Sequence, residues 1–414
     1  MLSHLLRLSL GRRVSPFVFR SAPSFPPDLE APALGVYVHI PFCRTLCPFC
    51  PYYKVPYDPG QVKPFTEALL QEIRLAAGMK PGREITSVYF GGGTPTLLRE
   101  ELPRIMTELR QGFTLTGEAG IEVHPRDVTD SLLGDIQDMG FSMISLGIQS
   151  FNPDHLQRLG RGDEQNEKAL RQTAARSFHA VDADLIFGIP GQKPEDLRRD
   201  FRTAVEAGAT QVSTYPFIDF SYAHNVNKPA GFWKKRLLLK SLVEAARENG
   251  FERNTVWTFR RKGTPQYSSV TRDNFLGFGP SAASLGRRAF KINTFDVDAY
   301  AAAIREGVFP SSLVMHFDQR TRALYWLFWR CYNLDISSQD FRELFGLDLE
   351  RFFGGFFLLG RLLGLLRPGE HGMELTETGA FAYHQVEQIY TRQYIDKTWR
   401  VSQGEAFPNG ISLY

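Results

Sequence analysis

Short apolar and β-branched runs alternate along the first three quarters of the chain with segments of helical periodicity. Each of six runs is followed by a plausible helix; they lie at 36–40, 87–91, 119–124, 142–148, 181–188 and 211–217. Continuous apolar strands separated by helices predict parallel pairing, because a parallel strand needs a crossover to return. The pattern predicts an α/β fold built on a partial (β/α)6 barrel, with ligands at the carboxyl edge of its strands.

The pattern changes near residue 310. Helical segments rich in Phe and Leu follow, and then a short hairpin-like stretch, which together predict a mostly helical, winged-helix-like domain. The aromatic content favours a packing module over a DNA-binding one. We therefore predict an N-terminal arm at 1–33, a barrel with its extension at 34–308, a helical domain at 309–400 and a tail at 401–414.

Composition and charge narrow the class of protein. A net charge of +3, from 48 basic and 45 acidic residues, gives no global reason to expect nucleic acid or an anionic membrane as partner. No apolar run approaches the roughly 20 residues of a membrane-spanning helix. Four cysteines in 414 residues do not form a disulfide framework and favour a reducing compartment, the cytoplasm. The first 27 residues lack acids and also suit an organelle transit peptide, although an arm packed on the domain is the simpler interpretation.

Three of the four cysteines, Cys43, Cys47 and Cys50, fall within eight residues. A zinc site usually takes four protein ligands, and His39 is the only nearby fourth. The spacing of three and then two intervening residues matches neither ferredoxin pattern. A four-iron cluster held by three thiolates would leave one iron open to a substrate or cosubstrate. Cys331, in an apolar helix, is predicted to be a core residue.

The motif C-x3-C-x2-C after the first strand of a β/α array resembles the radical S-adenosylmethionine (SAM) superfamily. The surrounding "VYVHIPFC" and "FGGGTPT" are similar to the oxygen-independent coproporphyrinogen III oxidase family, which includes haem chaperones. This resemblance implies a [4Fe-4S] cluster on Cys43, Cys47 and Cys50, and S-adenosyl-L-methionine at its open iron. It also implies an electron from a donor such as flavodoxin or ferredoxin, and reductive cleavage of SAM to a 5'-deoxyadenosyl radical.

The same resemblance implies a set of SAM contacts. In family order they are Tyr37, Gly92, Gly93, Thr94, Glu122, Gln149, Arg161, Asp184 and Ala283. Arg161 is expected to meet the SAM carboxylate. Ala283 belongs to the segment 276–284, "LGFGPSAAS", which resembles the one that closes over the adenine.

The substrate is less sharply implied. Tyr52 stands where coproporphyrinogen oxidases have an extra cysteine, and the histidine-containing stretch of the haem chaperones is absent. A tetrapyrrole substrate and an oxidase-like oxidoreductase activity are expected. A methyltransferase, a haem-degrading enzyme and a non-catalytic haem chaperone stay open as alternatives. Residues suited to an anionic, planar substrate are Arg44, Arg126, Tyr215, Phe217 and Arg272.

Overall fold

The computed structural model describes residues 17–31, 33–162, 165–223, 228–265 and 273–413. Its strands, numbered in chain order, are β1 (Phe17–Ser21), β2 (Gly35–Ile40), β3 (Phe42–Cys43), β4 (Val55–Pro56), β5 (Arg83–Ile85), β6 (Ser87–Gly92), β7 (Phe113–Leu115), β8 (Ala119–Val123), β9 (Met143–Gln149), β10 (Ala180–Phe187), β11 (Gln211–Pro216), β12 (Phe251–Arg253), β13 (Thr258–Arg261), β14 (Phe275–Phe278), β15 (Ala283–Leu285), β16 (Ala289–Asn293), β17 (Ser311–His316), β18 (Asp335–Ser337), β19 (Leu366–Pro368), β20 (Gly372–Leu375) and β21 (Gly410–Leu413).

Helices connect most of these strands. The α-helices span Pro59–Met79, Leu102–Gly112, Asp130–Asp138, Pro153–Arg158, Asn166–Ala174, Pro194–Glu206, Phe232–Glu248, Val297–Arg305, Gln319–Tyr332, Ser338–Phe345, Leu349–Leu362, Glu377–Tyr390 and Asp396–Gly404. Shorter helical turns lie at Pro95–Leu98 and Pro125–Asp127, and a π-helical turn at Thr391–Ile395.

Six parallel strands form the barrel wall in the order β2-β6-β8-β9-β10-β11. All six coincide with the predicted runs to within one or two residues, and the predicted partial barrel is confirmed. The first connecting helix, Pro59–Met79, begins at the N-cap Asp58 and buries Phe65, Leu69 and Ile73 against the sheet. Burial of such apolar faces on both sides of the strands explains their near-continuous hydrophobicity.

The sheet continues beyond the barrel. Strand β14 pairs in parallel with β2, and β15, β16, β17, β1 and β21 follow in antiparallel order. The described part of the predicted N-terminal arm thus includes a sheet strand, and the predicted tail ends in β21, whose Ile411 pairs with Phe19. Residues 1–16 of the arm lie outside the described residues, and the domain boundaries stay a prediction.

The region after 319 is mostly helical, with a small sheet in the order β18-β20-β19. Trp326, Phe341, Phe353 and Phe357 bury their rings in its core. Leu358 and Leu359, in contrast, are exposed on the far side of the helix Leu349–Leu362. Within the described ranges, no helix is both long enough and apolar enough to cross a membrane.

Candidate cofactor site

The three clustered cysteines lie directly beyond the carboxyl end of β2. Cys43 is part of β3, which pairs with β4. This pairing closes a loop over residues 43–55, the cysteine loop, which carries Cys47 and Cys50. Backbone bonds from Val55 N to Pro41 O (2.8 Å) and from Tyr57 N to Cys43 O (2.9 Å) fasten the base of this loop. Cys43 and Cys47 are buried, Cys50 is half-buried, and all three are free thiols. The loop therefore brings three thiols to the barrel mouth.

The surroundings of His39 argue against a zinc site. Its two ring nitrogens lie 3.0 Å from Tyr37 Oη and 3.0 Å from the Tyr53 carbonyl oxygen, so both are engaged within the fold. Among the described residues, no group of three or more His, Cys, Asp or Glu side chains is arranged to hold a single metal ion. In a four-iron cluster each thiolate binds a different iron. With both nitrogens of His39 engaged, the three thiols lack the fourth ligand that zinc usually takes and suit a cluster with one open iron.

The electrostatics around the thiols combine burial with nearby cations. Burial raises the pKa of Cys43 to about 11 and also raises the pKa of Cys50. Lys54 counteracts both shifts, and its ammonium donates to the Cys50 carbonyl oxygen at 3.1 Å. The Arg161 guanidinium donates from Nε to Cys47 Sγ at 3.1 Å. Ligation must displace the thiol protons, and these cations favour the resulting negative charge.

The glycine-rich segment after β6 packs directly on the cysteine segment. Gly93 N donates to Ile40 O (2.7 Å) and Thr94 N to Phe42 O (2.8 Å), while Thr94 Oγ1 lies 3.7 Å from Cys43 Sγ. A Cβ atom on Gly93 would lie 2.5 Å from the Phe42 carbonyl oxygen. Gly92 has a φ of +114°, and a Cβ atom there would lie 2.7 Å from the His39 ring. Only glycine allows this approach of the two segments.

Glu122 lies at the end of β8, beneath the glycine-rich segment 91–94, which is called the glycine loop below. Its carboxylate accepts from Tyr89 Oη at 2.8 Å and from Gly92 N at 3.3 Å. Burial raises its pKa to about 7, although both donors oppose the shift. Tyr37 stacks on Tyr89 with ring centroids 6.1 Å apart and lines the same cavity as Glu122. The structure thus brings Tyr37, Gly92 and Glu122 together; that they contact SAM stays a prediction.

Asp184 and Gln149 lie on the next two strands of the barrel, β10 and β9. Asp184 Oδ2 accepts from Ser145 Oγ at 2.6 Å, and burial together with the charge of Asp182 raises its pKa. Gln149 ends β9 with a φ of +67°, which is rare outside glycine and turns the chain at the strand edge. Register aligns Gln149 with Leu185 on β10, next to Asp184.

Arg161 stands closer to the cysteines than its predicted role implies. Besides Cys47 Sγ, its Nη1 lies 2.8 Å from His124 Nε2, and its guanidinium covers the Phe49 ring. In the structure Arg161 contacts the cysteine loop, His124 and the Gly147 carbonyl oxygen (3.4 Å); contact with a SAM carboxylate stays a prediction. Sequence analysis missed His124, although it follows Glu122 by two residues, and alternation along a strand places such residues on one face.

An aromatic cavity of about 240 Å³ opens beside Tyr37 and Glu122. Its lining comprises Phe17, Phe19, Tyr37, His39, Tyr52, Tyr53, Glu122, Phe275, Ser281, Ala283, Leu285, Phe290, Ile292, Met315, Tyr325, Trp329, Tyr390, Tyr394, Ile395, Thr398, Trp399 and Leu413. Among the described residues, this lining includes Ala283, a predicted SAM contact, and no Lys or Arg. The cavity therefore joins the candidate SAM site to walls formed by both ends of the chain.

The proposed substrate contacts lie outside this lining. Arg44 is largely exposed and pairs with Asp127, which also accepts from Thr96 Oγ1 at 2.8 Å. Arg126 is exposed, Tyr215 is partly exposed, and Phe217 packs in a small apolar cluster with Cys47. Arg272 lies outside the described residues.

Parts of the chain are similar in sequence to known proteins. Residues 37–204 match the radical SAM superfamily. The oxygen-independent coproporphyrinogen III oxidase of Pseudomonas aeruginosa is 25% identical over 399 residues, covering 87% of this chain and 85% of that protein. The haem chaperone HemW of Mycobacterium tuberculosis is 37% identical over 212 residues, or 49% of this chain, and the match spans about half of that protein (54%).

A solved structure extends the likeness in fold to nearly the whole chain. Coproporphyrinogen III oxidase (HemN) from Escherichia coli superposes with a TM-score of 0.76 at 22% identity, covering 94% of this chain and 98% of that one. The α/β barrel and the helical C-terminal region therefore occur together in a known architecture.

Proposed function

We propose that this radical SAM protein cleaves S-adenosyl-L-methionine reductively to a 5'-deoxyadenosyl radical and directs it at a tetrapyrrole, as an oxidoreductase similar to coproporphyrinogen oxidases. One observation carries the proposal. Three free cysteines, a glycine loop and Glu122 converge at the carboxyl edge of the parallel strands, beside an aromatic cavity. Radical SAM proteins use a [4Fe-4S] cluster together with SAM, and the donor set here suits both.

Each part of the site has a defined task. Cys43, Cys47 and Cys50 would hold the cluster, which supplies one electron to SAM when both are bound. Arg161 donates to Cys47 Sγ at 3.1 Å, and Thr94 lies against Cys43. Gly92 and Gly93 let the glycine loop pack on His39 and Phe42, and the backbone of that loop would contact SAM. Glu122, Gln149 and Asp184 offer acceptors for its polar groups. The buried surroundings exclude water from this region.

The aromatic cavity supports a flat, largely apolar substrate. Its walls carry Tyr52, Tyr325, Trp329 and Trp399, whose rings can stack on a macrocycle. The described lining of the cavity contains no Lys or Arg, so propionate groups would be held outside it, and Arg44 and Arg126 remain candidates for that contact. Tyr52 occupies the position of the oxidases' extra cysteine and faces this cavity.

A non-catalytic haem chaperone is the second candidate, because the segment most similar to HemW reaches 37% identity. It predicts stoichiometric haem binding without SAM turnover. A methyltransferase or haem-degrading activity would use the same SAM site with a different product. The free cysteines suit the reducing cytoplasm, where a flavodoxin or ferredoxin would supply electrons.

Anaerobic reconstitution followed by turnover separates these functions. The protein is incubated with dithionite, SAM and either coproporphyrinogen III or haem, and 5'-deoxyadenosine is quantified against altered substrate. We expect 5'-deoxyadenosine in proportion to vinyl-bearing product and carbon dioxide. S-adenosylhomocysteine would instead indicate methyl transfer, and an opened macrocycle with released iron would indicate haem degradation. Tight haem binding with no substrate-dependent SAM cleavage would establish the chaperone and refute the enzyme.

A further inference from the structure

A buried carboxylate lies away from the cysteines, on the helix Pro59–Met79. Glu72 is 1% exposed, and such a group must be hydrogen-bonded to be tolerated in the interior. Its Oε2 accepts from Gly279 N at 2.8 Å and from Tyr300 Oη at 2.7 Å, and its Oε1 accepts from Asn293 Nδ2 at 2.8 Å. The buried ammonium of Lys291 supplies the opposite charge nearby. The carboxylate is thus engaged by three segments of chain: the turn at Gly279, strand β16 and the helix Val297–Arg305.

The turn that Glu72 holds, at residues 279–283, has an unfavourable backbone conformation. Gly279 has a φ of +100° and Ser281 a φ of +61°. A serine in the left-handed region keeps that conformation only where its surroundings fix it. Asn293 Nδ2 also donates to Gly279 O at 3.0 Å, and Ser281 N donates to Thr294 O at 2.8 Å. Glu72 therefore fixes both the N–H of Gly279 and the side chain that binds its carbonyl.

This turn forms one wall of the candidate cofactor site. Ser281 and Ala283 line the cavity together with Tyr37 and Glu122. A Cβ atom on Gly279 would lie 2.4 Å from the His39 carbonyl oxygen, so the turn rests directly on the end of β2. A displacement of Gly279 would move this wall relative to Tyr37.

We propose that Glu72 is a positioning residue that holds the turn 279–283 in the conformation that binds SAM. The inference rests on the proposed function, specifically on the assignment of segment 276–284 to SAM. Glu72 does not contact the cofactor; it acts through Gly279 and Asn293.

The test compares Glu72→Gln with Ile73→Ala. Glutamine replaces one acceptor oxygen by an NH2 group, so at least one donor among Gly279, Asn293 and Tyr300 loses its partner or must rotate. Ile73 is the next residue of the same helix and is fully buried in the apolar core, so its truncation weakens the helix packing without touching the carboxylate. Asn293→Ala is a second variant that removes the same link from the other side.

Two readouts are used at a temperature where every variant is folded. SAM dissociation constants are measured on reconstituted protein with cluster absorbance as a check, and hydrogen–deuterium exchange of 276–284 is measured on metal-free protein. We expect a five- to tenfold weaker SAM affinity for Glu72→Gln and Asn293→Ala than for Ile73→Ala, with unchanged cluster content. Exchange in 276–284 should accelerate only in the first two variants.

If Glu72→Gln and Asn293→Ala matched Ile73→Ala in SAM affinity and in hydrogen–deuterium exchange, the positioning role of Glu72 would be overturned. If the wild type itself failed to bind SAM, the proposed function would fall. Exchange in the metal-free protein would then still decide whether Glu72 fixes the turn, so the two failures are distinguishable.

Discussion

Gly93→Ala should separate the glycine loop from the cysteine loop. The added Cβ would lie 2.5 Å from Phe42 O and 2.9 Å from the carbonyl carbons of Phe42 and Pro41. Ordinary contact begins at 3.4 Å, so the two backbone segments must move apart by about 0.9 Å, the difference between these distances. Neither obstacle is a flexible side chain that could swing away. The displacement falls on the peptide that leads into Cys43.

The magnitude follows from the contacts that this movement breaks. The bonds from Gly93 N to Ile40 O and from Thr94 N to Phe42 O, 2.7 and 2.8 Å long, would lengthen beyond normal range. Loss of two such bonds, together with the strain of overpacking, costs about 2 to 4 kcal/mol. This corresponds to a fall in Tm of roughly 5 °C. Because Thr94 also lies against Cys43, iron incorporation and SAM affinity should fall, the latter by roughly tenfold or more.

Gly78→Ala is the matched control. Gly78 lies in the helix Pro59–Met79, and a Cβ there would meet nothing within 4 Å. Alanine should stabilise this helix by up to about 1 kcal/mol. The assay measures Tm, iron and sulfide per chain after anaerobic reconstitution, and SAM binding by equilibrium dialysis. If Gly93→Ala behaved like Gly78→Ala in all three measurements, the close packing of the two loops would not be required for the site.

Three further predictions test other parts of the site. Cys47→Ser should abolish cluster assembly and SAM cleavage, whereas Cys331→Ala, in the core of the helical region, should keep both; near wild-type iron content in Cys47→Ser would refute the cluster assignment. Glu122→Ala and Asp184→Ala should each weaken SAM binding while the cluster absorbance persists, and unchanged affinity in both would contradict their placement. Burial raises the pKa of Glu122 to about 7, above its value of about 4.3 in an unfolded chain. Folding stability therefore falls progressively as pH rises from about 4.3 to about 7, and the full loss persists above that range. The Tm of Glu122→Gln minus that of wild type should therefore be larger at pH 8 than at pH 5, and a difference independent of pH would argue against the shift.

Strand positions were predictable because the barrel strands are buried on both faces. The run at 181–188, for example, corresponds to β10 at Ala180–Phe187. Continuous burial leaves a signal in the local sequence, and the crossover helices fix the parallel order. The pairing of β1 with β21 has no such signal, because it joins residues at the two ends of the chain. Sequence analysis therefore missed that both ends build a wall of the aromatic cavity.

Side-chain partners were less predictable than positions. The order of Glu122, Arg161 and Asp184 along the chain places all three at the strand edge, but a loop residue such as Arg161 can point in several directions. Its contact with Cys47 depends on where the cysteine loop folds back across the mouth. Glu72 was missed for the same reason. Its partners Gly279 and Asn293 lie more than 200 residues away, and nothing in its local helix distinguishes it from a solvated glutamate.

Strand β2 connects the cysteine loop and the glycine loop to the turn 279–283. Its Tyr37 faces the cavity, its His39 binds Tyr37 and supports Gly92, and its end continues into Cys43. The His39 carbonyl also bears the turn at Gly279, which Glu72 holds from the other side. The cysteine loop, the glycine loop and the turn 279–283 are thus all anchored on one buried strand. Because a strand inside a sheet moves less than the loops it carries, the spacing of these three segments is set by the sheet rather than by each loop independently.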